Sequence, residues 1–119
     1  MWVRVIQFFV AIGIFTFAAL MPANYVPSGT QDHTLHFIGN TLLFLSASVA
    51  AFGRMKLGLL ILLLIPYSLL IELSQWLTPT RQVDSKDIAA NMLGLSCGYL
   101  IAHLTEWLWS QVSKISKKS

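Results

Sequence analysis

Residues 57–77 read LGLLILLLIPYSLLIELSQWL, a run of twenty-one in which Glu72 is the one charged side chain. A hydrocarbon layer about 30 Å thick is crossed by about 20 apolar residues in a helix, so this stretch reads as a membrane span. Three others have the same character. They are residues 5–21 (VIQFFVAIGIFTFAALM), 35–52 (LHFIGNTLLFLSASVAAF) and 88–109 (IAANMLGLSCGYLIAHLTEWLW). Backbone inside a bilayer must satisfy its own hydrogen bonds, and four segments of this length cannot close a barrel, which leaves helices. Composition agrees: 55% of the 119 residues are hydrophobic and 11% charged, against about 25% charged in soluble domains. The expectation is an all-α polytopic membrane protein, four transmembrane helices in a small bundle, forming a single domain over residues 1–119.

The first span has one Arg before its apolar core, as a signal peptide would. Its apolar run is long for a signal core, however, and the residues before Asn24 make a poor small-x-small cleavage site, so it is read as a span. Cys97 is the only cysteine, which excludes an intrachain disulfide and a multi-cysteine metal cluster. The net charge of +3 comes from basic residues scattered between apolar runs, a pattern of topology and not of nucleic-acid binding. Arg4, Arg54, Lys56, Lys114, Lys117 and Lys118 fall on one side of the four spans, and Arg81 and Lys86, beside Asp84 and Asp87, on the other. The positive-inside rule then predicts both termini cytoplasmic and a multi-pass protein of the inner (cytoplasmic) membrane. Trp2, Trp107 and Trp109 fall at the inner aromatic belt, Tyr25 and Trp76 at the outer. After residue 109 the chain reads as a polar tail ending in KISKKS.

Ionisable residues inside spans are costly and need partners or a wet cavity. At about 1.5 Å of rise per residue, His36 lies about 27 Å along its helix from Arg54, Glu72 about 24 Å from Lys56, and Asn91 about 24 Å from Trp107. Three helices thus bring polar groups to one layer beneath the outer surface, with nothing comparable at the centre. Helical spacing puts His36 with Asn40 on one face, Glu72 with Gln75 on another, and Asp87, Asn91, Gly94 and Gly98 on a third. Gly94-x-x-x-Gly98 is a small-residue pattern that lets two helices approach closely. Asp87 also suits a helix start, where it would satisfy free N–H groups. Glu72 could be protonated or clamped to Arg81; Gln75 and Asn40 could simply bond across helices. His33 reads as a loop residue, His103 and Glu106 as an inner-interface pair, and Pro66 as a kink.

Three motifs in order carry a family resemblance: Asp32, His36 and Phe37; Glu72 and Gln75; then Arg81, Asp84, Asp87, Asn91, Gly94 and Gly98. Together they resemble the VanZ-like integral membrane proteins over residues 32–98, departing from the usual Lys after Asp32, which is His33 here. The resemblance implies a small helical membrane protein of the cell envelope related to one named for teicoplanin resistance. It does not bring an established reaction.

Glu72, Asp87 and His36 are the candidate acid, base or nucleophile. Arg81, Gln75, Asp84, Asn91 and Asn40 are candidate substrate-binding groups, with Arg81 suited to an anionic headgroup, and Gly94 and Gly98 are assigned to helix packing. No nucleophile elbow, His-Glu-x-x-His or phosphate loop is present. His36, Glu72, Asp84 and Asp87 include metal-compatible ligands but lack a diagnostic spacing, so no metal and no cofactor are expected. The expected partners are the bilayer, a lipid or lipid-linked headgroup, and other membrane protein subunits. Two functions follow: recognition or modification of an envelope-facing amphiphile such as a lipid or cell-wall precursor, or service as a non-catalytic accessory subunit of a larger complex.

Overall fold

The computed structural model describes residues 2–20, 32–77 and 85–118. These form four helices: α1 (Trp2–Leu20), α2 (Asp32–Ala51), α3 (Leu57–Trp76) and α4 (Ser85–Lys118). Outside them, the described residues comprise only the turn between α2 and α3 and Leu77. All four helices are long and apolar enough to cross a membrane. Large apolar side chains lie exposed on each of them, for example Phe17, Leu42, Leu62 and Leu100. In water that surface would be a liability, whereas lipid tails solvate it. The protein is a multi-pass membrane protein in a lipid bilayer.

Cross-helix contacts fix an up-and-down arrangement. Gln7 near the start of α1 bonds Ser46 near the end of α2, while Gln75 near the end of α3 reaches the Ala19 carbonyl near the end of α1. Thr16 pairs with Tyr67 between α1 and α3. The α2–α3 turn is tight, and Gly53 supplies its left-handed residue at φ 79°, a conformation that costs any other residue more. The Arg54 and Met55 amides bond the Ala51 carbonyl there, which satisfies an acceptor left over at the helix end.

The close pair is α2 and α4. A single stripe of α4 is buried: Asp87, Ala90, Asn91, Gly94, Leu95, Gly98 and Ala102. A Cβ at Gly94 would stand 2.5 Å from the Phe37 carbonyl oxygen, and one at Gly98 2.7 Å from the Phe44 Cβ. The backbones therefore touch, and Thr41 Oγ1 reaches the Gly94 carbonyl at 3.1 Å. Below this contact lies the apolar core of Leu43, Phe44, Ala47, Leu57, Leu60, Leu64, Leu95 and Ala102. Helix α1 contributes no buried residue; Phe8, Ile12 and Phe15 only flank the core from outside.

The helices run past the expected spans. The polar tail is itself helical, since α4 continues for 34 residues to Lys118, about 51 Å of helix. Its last buried residue is Ala102, so the stretch carrying Trp107, Leu108, Trp109, Val112 and Ile115 projects past the bundle with those side chains exposed. The other helices also begin or end up to three residues from the expected spans, most visibly α1, which already includes Trp2, and α2, which starts at Asp32. His103 stacks its ring on Tyr99, centroids 6.1 Å apart at 7°.

Candidate functional site

Where α2 and α4 begin and α3 ends, seven polar side chains are buried: His36 and Asn40 on α2, Ser68, Glu72 and Gln75 on α3, and Asp87 and Asn91 on α4. Burial of this many polar groups in a protein of 119 residues is tolerable only where they bond one another or a ligand. Their positions follow from helical spacing: 36 and 40, 68 and 72, and 87 and 91 are each one turn apart, so each helix turns one polar stripe toward the same axis.

Asn91 is the hub. Its Oδ1 accepts from Asn40 Nδ2 at 2.7 Å and lies 2.8 Å from His36 Nδ1. Its Nδ2 donates to Glu72 Oε2 at 3.2 Å. Asn40 Nδ2 also donates to the His36 carbonyl at 2.8 Å, and its Oδ1 accepts from Ser68 Oγ at 3.1 Å. One connected network thus joins α2, α3 and α4, and Asn40 and Glu72 in it are 0% and 1% exposed. The ionisable members form its upper part. Glu72 Oε2 is 3.6 Å from His36 Nδ1, and Asp87 Oδ2 is 4.0 Å from His36 Nε2, so one imidazole stands between two carboxyl groups from two other helices. Asp87 lies in the first turn of α4, where the positive end of the helix dipole favours a carboxylate.

The close α2–α4 backbone contact is what permits this. Gly94 stands one turn below Asn91 and opposite Asn40, whose Cβ is 2.9 Å from the Cβ position of Gly94. A side chain there would push the two amides apart.

Of the residues singled out in the sequence, His36, Asn40, Glu72, Asp87 and Asn91 come together here. Gln75 does not join them: its Nε2 bonds the Ala19 carbonyl of α1, so it ties α1 to the bundle. Arg81, Asp84 and Tyr25 lie outside the described residues, as do the side chains of Asp32, His33 and Trp76. Ser68 is the member that sequence reasoning missed. Its position one turn before Glu72 was the available signal. Among the described residues, no set of three His, Cys, Asp or Glu side chains converges so as to hold a metal ion.

Removing the Ser68 hydroxyl leaves Asn40 Oδ1 without its donor. Ser68→Ala is therefore expected to lower stability by about 1 kcal/mol, within the range of interhelical hydrogen bonds in membranes. Denaturation in mixed micelles checks this, with Ser74→Ala as control, because Ser74 Oγ bonds only back to the Leu70 carbonyl of its own helix.

No curated protein and no solved structure matches the chain. A family model described as VanZ/LLP1 matches residues 2–106. That stretch contains α1 to α3 and every member of the network, and on this match the chain belongs to the VanZ/LLP1 family.

Proposed function

We propose that this protein recognises or modifies the headgroup of an envelope-facing amphiphile, a lipid or cell-wall precursor, at the polar end of α2, α3 and α4. Membership links the chain, at the level of the family, to glycopeptide resistance. The observation that carries the proposal is the convergence of His36, Glu72 and Asp87 from three helices, where α2 and α4 begin and α3 ends. Intramembrane ionisable groups are rare and mark functional sites by default. An imidazole between two carboxyl groups suits proton exchange with a hydroxyl or amine donor. Arg81 is proposed to hold an anionic part of the headgroup and Asp84 another polar part of it.

The orientation proposed is the one that the basic residues favour, with both termini cytoplasmic and the site facing outward across the inner membrane. Arg54 and Lys56 are exposed in the α2–α3 turn, and Lys114, Lys117 and Lys118 on projecting α4, all at the end opposite the site.

A second reading has its own support. Asn40, Ser68 and Asn91 bond one another across three helices, as a structural clamp in an accessory subunit would. Comparative mass spectrometry of lipids and cell-wall precursors separates the two. Cells expressing wild type, Glu72→Gln, Arg81→Ala or no protein are compared, with membrane insertion verified for each. The expected result is a species that changes with wild type and reverts in both inserted variants. No change in any species would favour the accessory subunit.

A further inference from the structure

We infer that the network fixes His36 in its Nδ1–H form, making Nε2, the atom beside Asp87, the one through which the ring exchanges protons, with Asn40 and Asn91 as positioning residues. The inference deepens the site reading proposed above by naming the reacting atom.

The assignment starts from a group whose role is not negotiable. The His36 backbone carbonyl only accepts, and it lies 2.8 Å from one end of the Asn40 amide. That end is therefore the NH₂. The same NH₂ lies 2.7 Å from an Asn91 side-chain atom. Two NH₂ groups at that distance would repel, so the Asn91 atom is its oxygen. Ser68 Oγ meets the other end of Asn40 at 3.1 Å, where a hydroxyl donates to Oδ1. The Asn91 oxygen then faces His36 Nδ1 at 2.8 Å, and an oxygen facing a ring nitrogen at that distance requires N–H on the nitrogen. His36 Nδ1 carries the proton. The remaining Asn91 NH₂ is directed at Glu72 Oε2, which agrees with the same orientation. Every step is set by which atoms accept and donate.

The consequence is directional. In the neutral ring the second nitrogen is an acceptor. That nitrogen is Nε2, 4.0 Å from Asp87 Oδ2. When it takes a proton from a hydroxyl or ammonium donor, the imidazolium stands between the carboxyl groups of Glu72 and Asp87. The ring cannot use Nδ1 in this way without breaking the bond to Asn91. Asn91 and Asn40 thus orient a base as second-layer groups orient histidines elsewhere.

Nitrogen and carbon NMR of histidine-labelled protein in bilayers tests the inference without reference to any substrate. His33→Gln and His103→Gln leave His36 as the one histidine. The expected spectrum of the neutral ring shows Nδ1 protonated and Nε2 bare, and Asn91→Leu is expected to release the ring into a mixture of the two tautomers. A neutral ring with Nε2–H in the otherwise unaltered protein would overturn the assignment, as would both nitrogens protonated throughout the range in which the protein stays folded. A mass-spectrometric search that finds no substrate would leave the tautomer standing, so the two failures are distinguishable.

Discussion

Gly94→Ala is expected to lower the unfolding free energy by about 3 kcal/mol, at the upper end of the cost of overfilling a packed interior. The added methyl would lie 2.5 Å from the Phe37 carbonyl oxygen and 2.9 Å from the Asn40 Cβ. The first is backbone and the second is held in the polar network, so neither can swing aside as the end of a flexible side chain would. The α2 and α4 axes must part. The hydrogen bond from the Asn40 amide to the Asn91 amide, 2.7 Å long and one turn away, lengthens with them. Gly13→Ala is the matched control, because a Cβ at Gly13 meets nothing within 4 Å. Thermal unfolding of both variants in the same detergent checks the prediction. Equal melting points would mean that the α2–α4 seam yields more easily than its backbone contacts imply.

Asn91→Leu is the second large effect, a loss of about 3 kcal/mol from the stranding of several buried polar groups at about 1 kcal/mol or more each. The substitution removes the acceptor of His36 Nδ1 and of one Asn40 bond, together with the donor to Glu72 Oε2. Leucine fills similar space, so the loss reports on polarity more than on volume. Asn91→Asp, closer still in shape, is expected to be no better. It keeps an oxygen toward His36 and Asn40 but sets a second carboxyl group where the amide nitrogen stood 3.2 Å from Glu72, and two carboxylates so near cannot both stay ionised. Steric trapping or micellar denaturation of the three proteins gives the comparison. Near wild-type stability of Asn91→Asp would show that the Glu72 bond contributes little.

The four helices were legible because a bilayer imposes a length and an apolarity that few other folds share, and the stripe from Asp87 to Gly98 because its spacing of four, three and four admits one helical face. The rest escaped for identifiable reasons. Ser68 shares its residue type with Ser48 and Ser74, whose hydroxyls turn back to their own helices; its place one turn before Glu72 set it apart, but that Asn40 lies across from it is visible only in the fold. Gln75 shares a helical face with Glu72, but at the end of α3 a long side chain reaches either neighbour, and α1 is the one it meets. The length of α4 was hidden because hydropathy stops where lysines begin, whereas helices stop at glycine, proline or a cap. From Tyr99 to Lys118 there is no glycine or proline, so nothing ends the hydrogen-bonded ladder.

That unbroken ladder makes α4 a lever. From Asp87 to Lys118 it spans about 46 Å, the half up to Ala102 gripped by its neighbours and the half beyond it without a buried residue. By that length, a tilt of roughly 5° about the gripped end carries the tip about 4 Å sideways. A change of tilt at the polar end of α4 is thereby carried to its far end, and a probe attached at Lys118 reads the tilt of a helix whose site it never touches.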